Sequence, residues 1–438
     1  MYKKFIPYST GCNAFSAYSG RAKSMQFSSL TATPNGNELL FLNASECITA
    51  WIDGEAPGTL KLGDGSTATL AQITHQALQF QAQGNGILAG YFSYEVAHLL
   101  ETLPPLLTAS TTLPDVFIGH YDTWLEINHK EKTALLIAPN ETESQRHEKK
   151  INQSNTLNFK CLSEFIKSES KRNYTVNINR ILDYIHAGDC YQINYAQHFS
   201  APYSGSSYTA FSAIAQSITA PYAGYVNTGH GELLSFSPEQ FIQVDAQRNI
   251  MSRPIKGTAK RGTTLDEDKT IAAALLASEK NRAENLMIVD LLRHDLGKSF
   301  ELGSIKVDEL FALETFTNVH HLVSTISGKL KDSCSPLSAM IAAYPGGSIT
   351  GAPKIRAMEI INELESRSRS AYCGSMFYQK PDGSFDSNIM IRTLVASEDT
   401  LHCWGGGGIV ADSDPEQEHQ ETLDKVGLYM QILEQLKA

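Results

Sequence analysis

Helix-spaced and strand-like segments follow one another in mixed runs from Tyr174 to the C-terminus, with no regular β-α alternation and no internal repeat. That order predicts an α+β fold. Val176-Asn177-Ile178-Asn179-Arg180-Ile181-Leu182-Asp183-Tyr184-Ile185 carries helical spacing and stops at Gly188; Gln192-Ile193-Asn194-Tyr195-Ala196 reads as a strand. Further helices are expected over 209–219, 266–296, 336–343, 353–366 and 416–436. Strands are expected over 223–227, 232–236, 241–244, 371–378, 389–396 and 401–404. Upstream, short strand signals such as Leu39-Leu40-Phe41-Leu42 and Trp124-Leu125-Glu126-Ile127 are separated by turns, among them Pro34-Asn35-Gly36-Asn37. The polar stretch 140–172 reads as a solvated helix plus linker. It divides the chain into an N-terminal region, 1–165, and a C-terminal region, 166–438.

Charge narrows the partners. A net charge of −11 argues against a general nucleic-acid binder, which needs a basic field. It leaves room for a small anionic ligand held by a local cationic or metal-assisted site. No apolar run reaches the roughly 18 residues of a membrane span. The first residues, Met1-Tyr2-Lys3-Lys4-Phe5-Ile6-Pro7-Tyr8, show no apolar signal core. The seven cysteines are scattered without a C-x-x-C pair, so free thiols in a reducing cytoplasm are expected.

Four motifs could carry chemistry. In Ser252-Arg253-Pro254-Ile255-Lys256-Gly257-Thr258, a lysine stands between two helix-breaking residues. Buried at a cleft wall it would have a lowered pKa and act as a neutral amine nucleophile; left outside it is a surface loop lysine. Glu284 lies in the apolar helix 283–293, and Glu418 and Glu421 sit three apart at the start of the last helix. Carboxylates from two distant helices suit a hard cation such as Mg²⁺; the alternative for the second pair is first-turn acids on a helix dipole. Pro345-Gly346-Gly347-Ser348-Ile349-Thr350-Gly351-Ala352-Pro353-Lys354 is a glycine-rich turn opening a helix, able to meet an anion with free N–H groups, and it is no Walker loop. Gly405-Gly406-Gly407-Gly408 after a strand allows either close backbone approach to a ligand or a flexible hairpin. Arg392, alternating in an apolar strand, would seek a carboxylate. Together these residues predict a small polycarboxylate ligand chelated to Mg²⁺.

The ordered segments ENLMIVDLLRHD, VHHLVS, YPGGSITGAPKIRAMEII, FDSNIMIRT and GGGGIVADSDPEQEHQET, spread over about 174–436, resemble the chorismate-utilising enzymes. The fold this implies is a sandwich-like core of large mixed or antiparallel sheets with helices outside. PIKGT, with lysine where anthranilate synthases typically have alanine, is similar to the aminodeoxychorismate synthase branch. That branch converts chorismate and ammonia to 4-amino-4-deoxychorismate for p-aminobenzoate and folate. The alternative is the anthranilate synthase branch, which also eliminates pyruvate.

The resemblance implies roles residue by residue. Glu284 and Glu421 would hold Mg²⁺, with Glu418 behind them. Lys256 would attack C2 of chorismate, Glu239 would protonate the departing 4-hydroxyl, and His321 would lie near the ring. Thr258, Ser348, Gly406, Gly407 and Gly408 would approach substrate, and Tyr372 and Arg392 the enolpyruvyl carboxylate. Gln192 stands where water-using relatives carry a lysine base, which favours amination. No glutaminase domain is visible, so the ammonia source would be a separate glutamine amidotransferase subunit. Pro221-Tyr222-Ala223 resembles half of the family's tryptophan pocket; the other half, around Ser29, departs from the usual pattern.

Overall fold

Two large antiparallel sheets carry the chain in the computed structural model, which describes residues 1–436 apart from 10, 31–36, 55, 154–156, 317 and 318. The turn expected at 34–37 therefore lies mostly outside the described residues, as does the side chain of Ser29. The first sheet runs 2–6, 133–138, 124–128, 37–41, 24–30, 220–227, 232–237, 393–397, 400–409, 192–205 and 159–161. The second runs 255–260, 319–329, 249–253, 240–244, 385–388, 375–379, 87–92, 116–121, 46–52, 60–62 and 67–68. Residues 306–315 pair with 319–329 at its edge. Strands from either side of residue 165 are neighbours in both sheets: 24–30 pairs with 220–227, and 87–92 with 375–379. Each region alone would leave apolar strand edges open, and pairing across the boundary closes them.

Between the sheets lies the largest apolar cluster, with Phe92, Phe117, Phe241, Met376, Phe377 and Trp404 among its buried members. A second cluster joins the outer face of the first sheet to the helices Ser207–Ala215 and Pro415–Glu434. A third lies beneath Lys171–Ala187 and Lys354–Leu364. Apolar strands flanked by amphipathic helices produce this layering, because each element must bury one face.

Most expected elements form, with four instructive differences. The long helix expected over 266–296 is two, Leu265–Ala277 and Glu279–Gly297, because Ser278 leaves helical geometry and its hydroxyl caps the second at Asn281. The glycine run is neither turn nor hairpin: it continues the strand Thr400–Ile409, where Gly405 to Gly408 pair with Gln197 to Asn194. Arg392 does not alternate in a strand, since the strand begins at Thr393 and Arg392 has φ 52°. Pro353 stands just before the helix Lys354–Leu364 rather than in its first turn, because the two residues before it pair as a short strand with Gln192 and Ile193.

Gly351 shows what that pairing demands. Its φ is +148°, and a Cβ there would lie 2.1 Å from the Gln192 carbonyl oxygen. Gly351→Ala should lower stability by about 1–3 kcal/mol, read as an earlier urea midpoint in unfolding followed by circular dichroism.

Candidate active site

The chain passes from the first sheet to the second between Glu232–Ser237 and Gln240–Val244, and back between Phe385–Asn388 and Thr393–Ser397. Glu239 lies on the first crossing and Arg392 on the second. The Ile389 amide donates to the Glu239 carbonyl at 3.1 Å, and Phe236 N–H to the Arg392 carbonyl at 3.0 Å, so the crossings brace each other. Ser237 Oγ donates to the Ile389 carbonyl at 2.6 Å and accepts from Glu239 N–H at 3.1 Å. Glu239 is buried, and burial pushes its carboxyl above the usual range, partly offset by the Ser348 hydroxyl, Lys256 and Arg392. Arg392 also bonds the Tyr429 hydroxyl on the last helix.

Lys256 is aimed by a bulge. The strand Ile255–Lys260 shifts register against Val319–Lys329 between Ile255 and Thr258, and Gly257 takes φ 86°. A bulge of this kind turns a side chain out of the pleat. Lys256 Nζ donates to the Ser348 carbonyl at 3.3 Å. Burial lowers its pKa against the opposing pull of Glu284, Glu239 and Glu421, so all three carboxylates act on one amine. Ser348 sits on the turn Gly347–Ile349, pressed against the helix Glu279–Gly297 so closely that a Cβ on Gly347 would meet Leu291 Cδ2 at 2.4 Å. Thr258 Oγ1 lies 2.8 Å from His321 Nδ1. Burial first, then Arg392 and His320, hold His321 down at about 4. Tyr372 stacks on Trp404 with centroids 6.2 Å apart and rings 8° from parallel.

Glu284, Glu418 and Glu421 come from two helices far apart in the chain, and the Glu421 charge acts on both of the others. Burial raises Glu284 and Glu418. Glu421 is lower than usual: burial opposes its charge, but Lys425, Lys280 and Lys256 outweigh that. Lys425 Nζ sits 2.6 Å from Glu421 Oε1 and donates to the Gly406 carbonyl at 2.8 Å. A Cβ on Gly407 would stand 3.3 Å from Glu418 Oε2 and 3.7 Å from Glu421 Oε1; one on Gly408 would meet the Gln192 amide at 2.9 Å. Glycine lets the strand pass close under these side chains without displacing them. Gln192 is fully buried, and among the described residues neither amide atom has a hydrogen-bond partner. Among the described residues no three His, Cys, Asp or Glu side chains are already gathered as a formed metal shell. The donor chemistry fits a hard divalent ion, since the three carboxylates offer oxygen ligands only; an ion there would take Glu421 over from Lys425.

Pro221, Tyr222 and Ala223 lie elsewhere, lining a cavity of about 540 Å³ with Phe27, Tyr378 and Asp386. Burial pushes the Asp386 carboxyl up to about 7. Lys425 was missed in the sequence, although its place one helical turn beyond Glu421 was a usable signal. Arg369, buried beneath Tyr372, gave none.

Residues 31–431 match the family model described as chorismate binding enzyme, and the chain belongs to that family. It is 44% identical to "Aminodeoxychorismate synthase component 1" of Escherichia coli over 84% of this chain and 80% of that one. It is 34% identical to "Anthranilate synthase component 1" of Thermus thermophilus, over 81% and 78% of the two chains. Anthranilate synthase component I from Streptococcus pneumoniae shares the fold with a TM-score of 0.79 at 25% identity, covering 90% of this chain and 92% of that one.

Because His321 titrates near 4, its ring is neutral at any working pH above about 5. Replacing it by Asn should therefore leave both limbs of the pH–rate profile between about pH 6 and 9 in place, whatever it does to the rate.

Proposed function

We propose that this chain is the synthase component that converts chorismate and ammonia to 4-amino-4-deoxychorismate. The observation that carries the reading is the convergence of Lys256, Glu239 and Ser348. An amine whose protonation is disfavoured by burial lies beside a carboxyl whose ionisation is disfavoured by the same burial. Such a pair suits a step in which one group attacks while the other gives up a proton.

The Lys256 amine forms a bond to C2 of chorismate. Both ring double bonds shift, C1=C2 to C1=C6 and C5=C6 to C4=C5, the C4–O bond breaks, and Glu239 delivers the proton with which the hydroxyl leaves as water. Ammonia then bonds to C4, both double bonds shift back, and the C2–N bond breaks to return Lys256. The Glu239 carboxylate takes the proton that the new C4 ammonium releases. Arg392 and Tyr372 would hold the enolpyruvyl carboxylate, with the backbone at Gly406, Gly407 and Gly408, the Thr258 and Ser348 hydroxyls and His321 around the ring. Mg²⁺, held by Glu284 and Glu421 with Glu418 behind, would neutralise the ring carboxylate. Gln192 has no basic group with which to activate water, which favours amination over hydration.

Ammonia would come from a glutamine amidotransferase partner, as the words "component 1" in the relatives' names imply. None of the six described cysteines is in a disulfide, which suits the cytoplasm. Among the described residues no helix is long and apolar enough to cross a membrane. The cavity at Pro221, Tyr222 and Ala223 would hold tryptophan, its amine facing Asp386. Acid extraction of the purified protein followed by amino-acid analysis should release tryptophan; a clean extract that also fails to bind added tryptophan counts against this.

Incubated with chorismate, ammonium and Mg²⁺, the protein should yield 4-amino-4-deoxychorismate by mass spectrometry, and chelation should stop it. Anthranilate fluorescence instead would favour the branch that eliminates pyruvate. Lys256→Ala should abolish amination while chorismate binding survives. Glu239 must be protonated to act, so the rate should fall as pH rises through its raised pKa. Glu239→Gln should remove that alkaline limb and lower kcat about 10²–10⁴-fold.

A further inference from the structure

The reaction above makes no use of Arg369, yet this side chain is 1% exposed and among the largest fully buried in the protein. Its Nε and Nη2 grip the two Glu365 oxygens at 2.9 and 2.7 Å. Nη1 donates to the Ile349 carbonyl at 3.0 Å and Nη2 to the Asn194 carbonyl at 2.6 Å. Glu365 Oε1 in turn accepts from the Ala196 amide at 2.9 Å. The guanidinium also lies 5.9 Å from the centre of the Tyr372 ring.

These partners are the backbone beneath the reacting groups. Ile349 follows Ser348, whose carbonyl receives Lys256 and whose hydroxyl reaches Glu239. Asn194 is two residues from Gln192 and faces Gly408 across the ladder. We propose that Arg369, clamped by Glu365, is a positioning residue of the amination site: it locks the Ser348 turn and the Gln192 strand into one frame. The inference rests on the functional reading of Lys256, Glu239 and Ser348. The planar fork is essential, because four acceptors in three directions cannot be served by the single point of a lysine ammonium. A burial of charge serving stability alone has no need to end on the residue after Ser348 and on the Gln192 strand at once.

The test is a double-mutant cycle on ammonium-driven amination with Mg²⁺, using Arg369→Lys, Ser348→Ala and the double variant, each checked for a cooperative melt. Misplacement of the turn by Arg369→Lys should cut kcat about tenfold to a hundredfold with little change in KM for ammonium. In the Ser348→Ala background the same change should cost clearly less than it does alone, since part of its effect runs through the Ser348 hydroxyl. The Ser348 hydroxyl favours the charged form of Glu239, so losing its aim should move the alkaline limb to higher pH in both single variants. If Arg369→Lys does not fold, Glu365→Asp keeps the pair but shortens the clamp and enters the same cycle. Multiplicative losses, or a folded variant with unchanged kcat and pH profile, would overturn the proposal. An inactive wild-type protein would instead remove the functional reading on which it stands.

Discussion

The hydrogen bond from the Ile389 amide to the Glu239 carbonyl joins two crossings between the sheets, those on either side of the cleft residues Glu239 and Arg392, and the geometry of the site depends on it. Strands inside a sheet have their backbone groups committed to ladder partners. Where the chain leaves one sheet for the other, those groups and the side chains beside them become free to point into the space between. Glu239 and Arg392 occupy these two places. Their crossings are fastened to each other, so the acid and the guanidinium keep a fixed separation even though a long stretch of chain lies between them.

Electrostatics then follows from burial. Lys256, Glu239, Glu284 and Glu418 all lose water, and each is pushed toward its neutral form. Glu421 is the exception because Lys425 stands 2.6 Å away. The cleft thus holds an amine that gives up its proton more readily than usual, a carboxyl that holds its own more tightly, and one that ionises more readily beside Lys425. A chorismate-binding enzyme that expels hydroxide needs that division of labour, since the leaving oxygen must be protonated while the nucleophile is not.

Glycine does different work at each point of the site. Gly257 supplies the positive φ that lets the strand bulge and release Lys256. Gly347 lets the Ser348 turn press on Leu291, and Gly407 lets a strand pass beneath the carboxylates of the last helix. The same residue type serves conformation in the first case and bare proximity in the others, and the sequence alone does not distinguish them.

The helices, the apolar strands and the identities of Lys256, Glu284, Glu418 and Glu421 as candidates were readable from local spacing, because periodicity and turn chemistry are properties of a few consecutive residues. The α+β class was readable for the same reason, from the order of those elements. Local pattern could not show that the glycine run lies within a strand, that Arg392 sits on a crossing, or that Arg369 and Glu365 form a buried pair. Each of those depends on partners far away in sequence: the 192–205 strand, the 232–237 strand, the Ile349 turn. A side chain's direction, burial and charge state are set by what packs against it, and that is decided only when both sheets have closed around the cleft.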